Sequence, residues 1–220
     1  MSENTFYTRY RDYLSYSGGL LGAVALVCAV ALVVTDWNTA ERIVLEQAAD
    51  QRAFMAQVMP ATLYDNDLLQ DTVILPNPKA KEAKNQQVKV YLARKNGQVV
   101  GAVYEVVAYG YSGAINLIMA VNRDGQIAGV RVVFHKETPG LGDKIEIAKG
   151  NWILAFNGLS LGNPDDKGWH VKKDGGQFDQ FTGATITPRG IVKAVKEGLE
   201  LFAAHRTQLL EQPQPSLTAK

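Results

Sequence analysis

The residues with chemical potential cluster in one segment, Asp179-Gln180-Phe181-Thr182-Gly183-Ala184-Thr185-Ile186-Thr187-Pro188-Arg189. It sets the hydroxyls of Thr182, Thr185 and Thr187 just ahead of an apolar stripe, Ile191, Val192, Val195, Leu199, Phe202 and Ala203, at helical spacing. The first turn of a helix has unpaired N–H groups and the positive end of the helix dipole. A phosphate esterified to a hydroxyl there is stabilised without a dedicated cationic pocket. Gly183 and Ala184 keep the backbone bare, so a bulky group can approach closely. The same residues also read as plain turn and capping residues, with Thr187 able to cap and Pro188 suited to the first helical position. Local chemistry alone leaves both readings open.

Other chemistries find less support. The single cysteine, Cys28, lies inside an apolar run, so the chain can build neither an internal disulfide nor a thiolate-ligated iron–sulfur cluster. His135, His170 and His205 lack ligand spacing, so no metal site is expected. Gly110-Tyr111-Ser112-Gly113-Ala114 lacks the final glycine of a nucleophile elbow, and no glycine-rich strand-to-helix turn of the dinucleotide or P-loop kind occurs. A net charge of +1, with lysines and arginines scattered among acids, gives no footprint for nucleic acid. Any redox role therefore needs a bound carrier.

The elements that must position the segment begin with an anchor. From Tyr13 to Thr35 there is no charged residue, and a helix of that length crosses a hydrocarbon core of about 30 Å. One small domain cannot easily surround an all-round apolar helix, which disfavours a buried core helix. Thr35-Asp36-Trp37-Asn38-Thr39-Ala40 lacks a small-x-small cleavage pattern, and Trp37 suits an interfacial anchor, so the run reads as a retained span. Arg9 and Arg11 on one side, against Arg42 and Arg52 with Asp36 and Glu41 on the other, place the N-terminus in the cytoplasm.

Beyond the span, Val44, Ala48, Gln51, Met55 and Val58 continue a helical period until Pro60. The polar, proline-punctuated stretch from Pro76 to Asn85 suits a surface loop. Val88, Val90 and Leu92 alternate as a strand, Asn96-Gly97 offers a tight hairpin, and Val99 to Ala108 returns. Ile115 to Met119 and Val130 to Phe134 add two more strands around Arg123-Asp124-Gly125, an antiparallel meander. Ile145 to Phe156 is expected to be helical, Trp169 to Lys173 a short strand, and the last helix is ended by Gln212-Pro213-Gln214-Pro215. The resulting division is residues 1–12 cytoplasmic, 13–35 spanning, 36–86 a stalk or packing helix with a loop, 87–210 the main domain and 211–220 a disordered tail.

Asp179-x-x-Thr182-Gly183-Ala184-Thr185 resembles the D-x-x-[S/T]-G-A-[T/S] signal at which a flavin transferase moves FMN from FAD onto the final hydroxyl as a phosphoester. His135-Lys136-Glu137-Thr138-Pro139-Gly140-Leu141-Gly142-Asp143-Lys144-Ile145 is similar to a second hallmark segment of the G subunits of Rnf/Rsx electron transport complexes. The Gly110-Tyr111-Ser112-Gly113 turn, the Lys172-Lys173-Asp174-Gly175-Gly176 run and the single N-terminal span extend the likeness over nearly the whole chain. Thr182 stands where many relatives have serine, which keeps the hydroxyl.

The resemblance implies an α+β FMN-binding domain, an antiparallel sheet with flanking helices, on the periplasmic side of a bacterial inner membrane. It implies covalent FMN on Thr185, with Asp179, Thr182, Gly183, Ala184 and Thr185 recognised by a periplasmic FAD-dependent flavin transferase. Thr182, Gly183 and Ala184 would also line the cofactor, the ring would pack near Tyr111, Ser112, Thr138, Leu141 and Gly142, and Lys173 would lie near the phosphate or flavin oxygens. Each has a plainer reading: a hairpin turn at Tyr111-Ser112, a loop at Thr138–Gly142, a solvated edge at Lys172-Lys173. The implied role is electron carrier, not solitary enzyme, with the A, B, C, D and E subunits as partners in a complex that couples electron transfer to ion movement. Two alternatives stand beside it. One is the C subunit of a sodium-pumping NADH:quinone oxidoreductase, which shares threonine-linked FMN. The other is an anchored scaffold whose threonine is never modified.

Overall fold

The computed structural model describes residues 3–77 and 86–213. Residues 1–49 and 50–220 are two compact units. The expected loop of 76–85 is thus described only at Pro76 and Asn77, and the expected tail only through Pro213; the rest of both lies outside the described residues.

The first unit is carried by helix α1, Glu3–Val58, a single element of 56 residues. Its stretch Tyr16–Ala40 is long and apolar enough to cross a membrane. Leu20, Leu21, Leu26, Val27 and Leu32 are all exposed, as suits side chains meant for lipid. A helix satisfies its own backbone, and the hydroxyls here do likewise: Thr35 Oγ1 donates to Ala31 O at 2.8 Å and Thr39 Oγ1 to Thr35 O at 2.7 Å.

In the second unit Met55 and Val58 of α1 are buried, and Pro60 follows the end of the helix because it cannot continue the hydrogen-bond ladder. The sheet runs β1 (Thr72–Pro76), β2 (Gln87–Lys95), β3 (Gln98–Tyr109), β4 (Ala114–Asn122) and β5 (Ile127–Phe134), paired in sequence order throughout. Neighbouring strands are antiparallel, as the alternating patterns require. Asn96 (φ 52°) and Gly97 (φ 78°) form the expected hairpin turn, whose twist matches the strands it joins. β1 lies in the segment that the sequence reads as helix and loop. Five residues long and ending in Pro76, it is an edge strand whose proline has no ladder bond to lose on its outer side.

Both faces of the sheet are covered. Val90, Leu92, Tyr104, Leu117, Met119 and Val130 meet α2, Ile186–Leu210, through Ile191, Val192, Val195, Leu199 and Phe202. On the other face Tyr91, Ala93, Val103, Ile118 and Ala120 meet Met55, Val58 and Met59. Each buried side chain of this size contributes roughly 1.5–3 kcal/mol, so the central strands, buried on both sides, dominate the domain's stability. At Gly190 a Cβ would stand 2.1 Å from the Tyr109 carbonyl oxygen, so a bare α2 backbone is what allows the helix this close to β3. Tyr104 Oη donates to Gly198 O at 2.8 Å inside the core, and burial pushes its phenol pKa up. Tyr104→Phe should lower stability by about 1 kcal/mol, the net worth of one buried hydrogen bond, without moving α2. Urea unfolding measures the loss.

Two expectations need correction. Ile145–Phe156 is not one helix but two 3-10 turns, Asp143–Ile145 and Trp152–Phe156, with residues 146–151 between them. Trp169–Lys173 is not a strand. Val171 makes one isolated parallel bridge to Phe178, and Lys172–Asp174 is a 3-10 turn. The misleading signal is the same in both places. Trp152, Phe156, Trp169 and Phe178 pack against one another, Trp152 edge-on to Phe156, with Phe156–Phe178 centroids 4.7 Å apart and Trp169–Phe178 5.6 Å. Their spacing reports an aromatic cluster and mimics a secondary-structure period.

Candidate functional site

That cluster delivers the hydroxyl segment to α2. Trp152 packs edge-on against Phe181 at 5.2 Å and its Nε1 donates to Asp179 O at 2.8 Å, so the chain just before Thr182 is held by its backbone. Phe181 to Ala184 then turns tightly. Ala184 N donates to Phe181 O at 3.1 Å, with Gly183 at φ 83° in the position where a type II turn demands a left-handed residue. Thr182 and Gly183 are exposed; Ala184 and Thr185 are half-buried.

Thr185, not Thr187, occupies the N-cap of α2. Its backbone is already in the right-handed helical region (φ −82°, ψ −22°), and its hydroxyl makes no capping bond among the described residues. An N-cap side chain usually reaches the next turn from an extended backbone; here that geometry is forgone and the oxygen is left available. Pro188 is the third helical residue, still within the first turn where its missing N–H has no partner to lose. Thr187 is buried completely and donates its hydroxyl to the Glu137 carboxylate instead of capping.

Glu137 is the centre of the arrangement. Only 5% exposed, it accepts from the backbone N–H of Ser112 at 2.9 Å through Oε1 and from that of Tyr111 at 3.3 Å through Oε2, where Thr187 also donates. Its own N–H donates to His135 Nδ1 at 3.0 Å, which leaves His135 Nε2 to donate to Glu146 at 2.8 Å. Two glycines make the space: a Cβ on Gly110 would lie 2.4 Å from Glu137 Oε1, and one on Gly142 would lie 2.8 Å from Oε2. Three separate segments, the β3–β4 turn, the loop after β5 and the start of α2, thus meet on one carboxylate.

The resemblance-implied residues fall mostly on those segments. Tyr111 and Ser112 are in the first; Thr138, Leu141 and Gly142 in the second, where Thr138 O accepts from Leu141 N at 3.2 Å and Gly142 N at 3.1 Å. Leu141 reaches the Phe181–Ala184 turn, its Cδ2 lying 3.3 Å from the Cβ position of Gly183. Large apolar side chains stand open to solvent there: Tyr111 at 74%, Leu141 at 43% and Ile186 at 48% exposure. Lys173 is exposed on the Lys172–Asp174 turn, outside the group that Glu137 gathers, and its N–H donates to Gln180 Oε1 at 3.3 Å. The turn is fastened to α2 by Arg189, whose guanidinium donates to both oxygens of Asp174 at 2.6 and 2.7 Å. That hydrogen bond holds the Asp174 carboxyl below the usual range and raises Arg189. Asp179 is exposed and pairs with Lys172 Nζ at 2.6 Å.

Residues 110–200 match the FMN-binding domain family, and residues 14–58 match the RnfG N-terminal region. The chain is 48% identical over 203 residues to the G subunit of the ion-translocating oxidoreductase complex of Cereibacter sphaeroides, across 91% of this chain and 90% of that one. Against the corresponding subunit from Stutzerimonas stutzeri the identity is 46% over 198 residues, 90% of this chain and 85% of that one. Among solved structures, that of Shewanella oneidensis NqrC covers 68% of this chain and 72% of its own at 28% identity, with a TM-score of 0.45. Identity of this order along nearly the whole of both sequences, with family matches on the helix and on the domain, makes the chain a member of the G-subunit family of Rnf/Rsx ion-translocating oxidoreductase complexes.

Proposed function

We propose that this chain carries FMN as a phosphoester on Thr185 and serves as an electron-carrying subunit of an ion-translocating complex in a bacterial inner membrane. The observation that carries the reading is the state of the Thr185 oxygen: at the N-cap of α2, half-buried, and released from capping among the described residues. A phosphodiester formed there faces the first-turn N–H groups and the positive end of the helix dipole. The exposed side chains of Tyr111, Leu141 and Ile186 offer an apolar surface for a planar ring. In the transfer the Thr185 oxygen bonds to the FMN-side phosphorus of FAD, the pyrophosphate P–O bond breaks, AMP leaves, and the hydroxyl proton passes to the transferase. The FMN supplies reversible electron-carrying chemistry; the protein retains and orients it.

The exported domain is on the periplasmic side, with the short N-terminus cytoplasmic, and the other complex subunits are its electron-transfer partners. The periplasmic transferase reads Asp179 and Thr182–Thr185; Asp179, Thr182 and Gly183 are exposed and Ala184 and Thr185 half-buried, which leaves the segment open to a second protein. Identity to G subunits over nine-tenths of the chain favours this assignment over the C subunit of the sodium-pumping enzyme. Intact mass and peptide mapping of the native full-length protein test the reading. The peptide containing Thr185 should carry one FMN phosphodiester; a bare peptide from cells with an active transferase overturns the redox role and leaves an anchored scaffold.

A further inference from the structure

The flavin reading explains why Thr185 is free but not why Glu137 is buried. A carboxylate is costly to desolvate, and among the described residues this one takes no hydrogen bond from a lysine or arginine; it is held by two backbone N–H groups and one hydroxyl. Backbone N–H groups can only donate, so both carboxyl oxygens serve as acceptors here. Gly110 and Gly142 are bare where any side chain would strike the carboxylate, so the chain gives up two side chains to seat it. Every contact leads to a segment around Thr185: Tyr111 and Ser112 on the β3–β4 turn, Thr187 two residues along α2, Gly142 on the loop that carries Leu141.

We infer that Glu137 is the positioning residue of the flavin site. Its carboxylate fixes the β3–β4 turn and the first turn of α2 relative to each other, sequesters the Thr187 hydroxyl so that Thr185 is the acceptor, and would supply a buried carboxylate charge to the surroundings of a flavin held on Thr185. The inference rests on the reading of Thr185 as the flavin-bearing residue. A charge in that place disfavours added electrons, so it holds the flavin's midpoint potential down. Simple scaffolding would not do this.

The test uses the full-length membrane protein, produced with an FAD-dependent flavin transferase, as wild type, Glu137→Gln and Thr187→Val. Gln keeps the size but removes the charge and turns an N–H2 toward donors. Covalent incorporation, measured by intact mass, should fall severalfold in Glu137→Gln. In the fraction that is loaded, the visible circular dichroism of the flavin should change and the midpoint potential should shift upward. Thr187→Val keeps the Glu137 charge but removes one of its donors, so incorporation should fall while the fold survives; this arm decides the matter if Glu137→Gln does not fold. Wild-type incorporation and dichroism in both variants, or an unmoved potential in loaded Glu137→Gln, overturns the inference and leaves the Thr185 reading intact. A bare wild-type Thr185 peptide overturns both.

Discussion

Thr185→Val should abolish covalent flavin completely while leaving the fold as it is. Valine reproduces the branched shape of threonine without the oxygen, and at most N-caps such a change would cost about 0.5–2 kcal/mol of lost capping. Here that loss is absent, since the hydroxyl makes no capping bond among the described residues. The neighbouring hydroxyls are poor substitutes. Thr187 is fully buried and already donates to Glu137, and Thr182 is at the far side of the Phe181–Ala184 turn, away from the first-turn N–H groups of α2. Thr185→Ser should retain the modification. In-gel fluorescence of the denatured protein, with the mass of the intact chain, reads the outcome: signal in wild type and the serine variant, none in the valine variant. Flavin persisting on the valine variant would place the attachment elsewhere and remove the main support for the role of the α2 N-cap.

Much of this was legible in the sequence because it depends on short-range rules. The hairpin at Asn96-Gly97, the meander that follows and the amphipathic α2 are each written in turn chemistry or period. Thr185 was legible only as one of three hydroxyls until the motif singled it out, and local rules favoured the wrong cap. A cap assignment from sequence weighs residue type, but at the start of α2 the tertiary bond from Thr187 to Glu137 outbids it. Glu137 itself carries no local signal. Its donors come from 25 and 50 residues away along the chain, and nothing in His135-Lys136-Glu137 reveals that the acid turns inward while the lysine stays exposed. The aromatic cluster failed for a related reason, since inward-pointing rings in an irregular segment generate spacings resembling those of helices and strands.

Arg94→Ala should destabilise the domain by about 3–5 kcal/mol, the usual cost of breaking a buried ion pair by removing one partner. Arg94 stands at a register shift in the β2–β3 pairing, on a strand buried on both faces, and is only 2% exposed. Its Nε donates to Asp71 Oδ2 at 2.5 Å, its Nη1 to Gly97 O at 3.3 Å and Gln212 O at 3.0 Å, and its Nη2 to Pro213 O at 3.1 Å. Alanine would leave Asp71 buried with, among the described residues, only the 3.3 Å side-chain contact from Asn66, and would release Gln212 and Pro213, in the stretch the sequence reads as a free tail. Against a total of about 5–15 kcal/mol for a domain, that is a large share, readable as a lowered urea midpoint. Arg94→Lys should recover little, because a point charge cannot reach three carbonyls and a carboxylate at once. Arg94→Met combined with Asp71→Leu should recover most of it, since no charge is then left unpaired. Flavin incorporation in the folded fraction should be unchanged, because the 25-residue α2 puts roughly 35 Å between this staple and Thr185 at about 1.5 Å per residue. The helix is thus fixed at both ends by buried ionisable side chains of opposite sign. Arg94 takes the carbonyls of Gln212 and Pro213, just beyond its C-terminus, and Glu137 takes the Thr187 hydroxyl in its first turn while holding the β3–β4 turn through the N–H groups of Tyr111 and Ser112. One secures the rod, and the other sets where its first turn, and the hydroxyl in front of it, must stand.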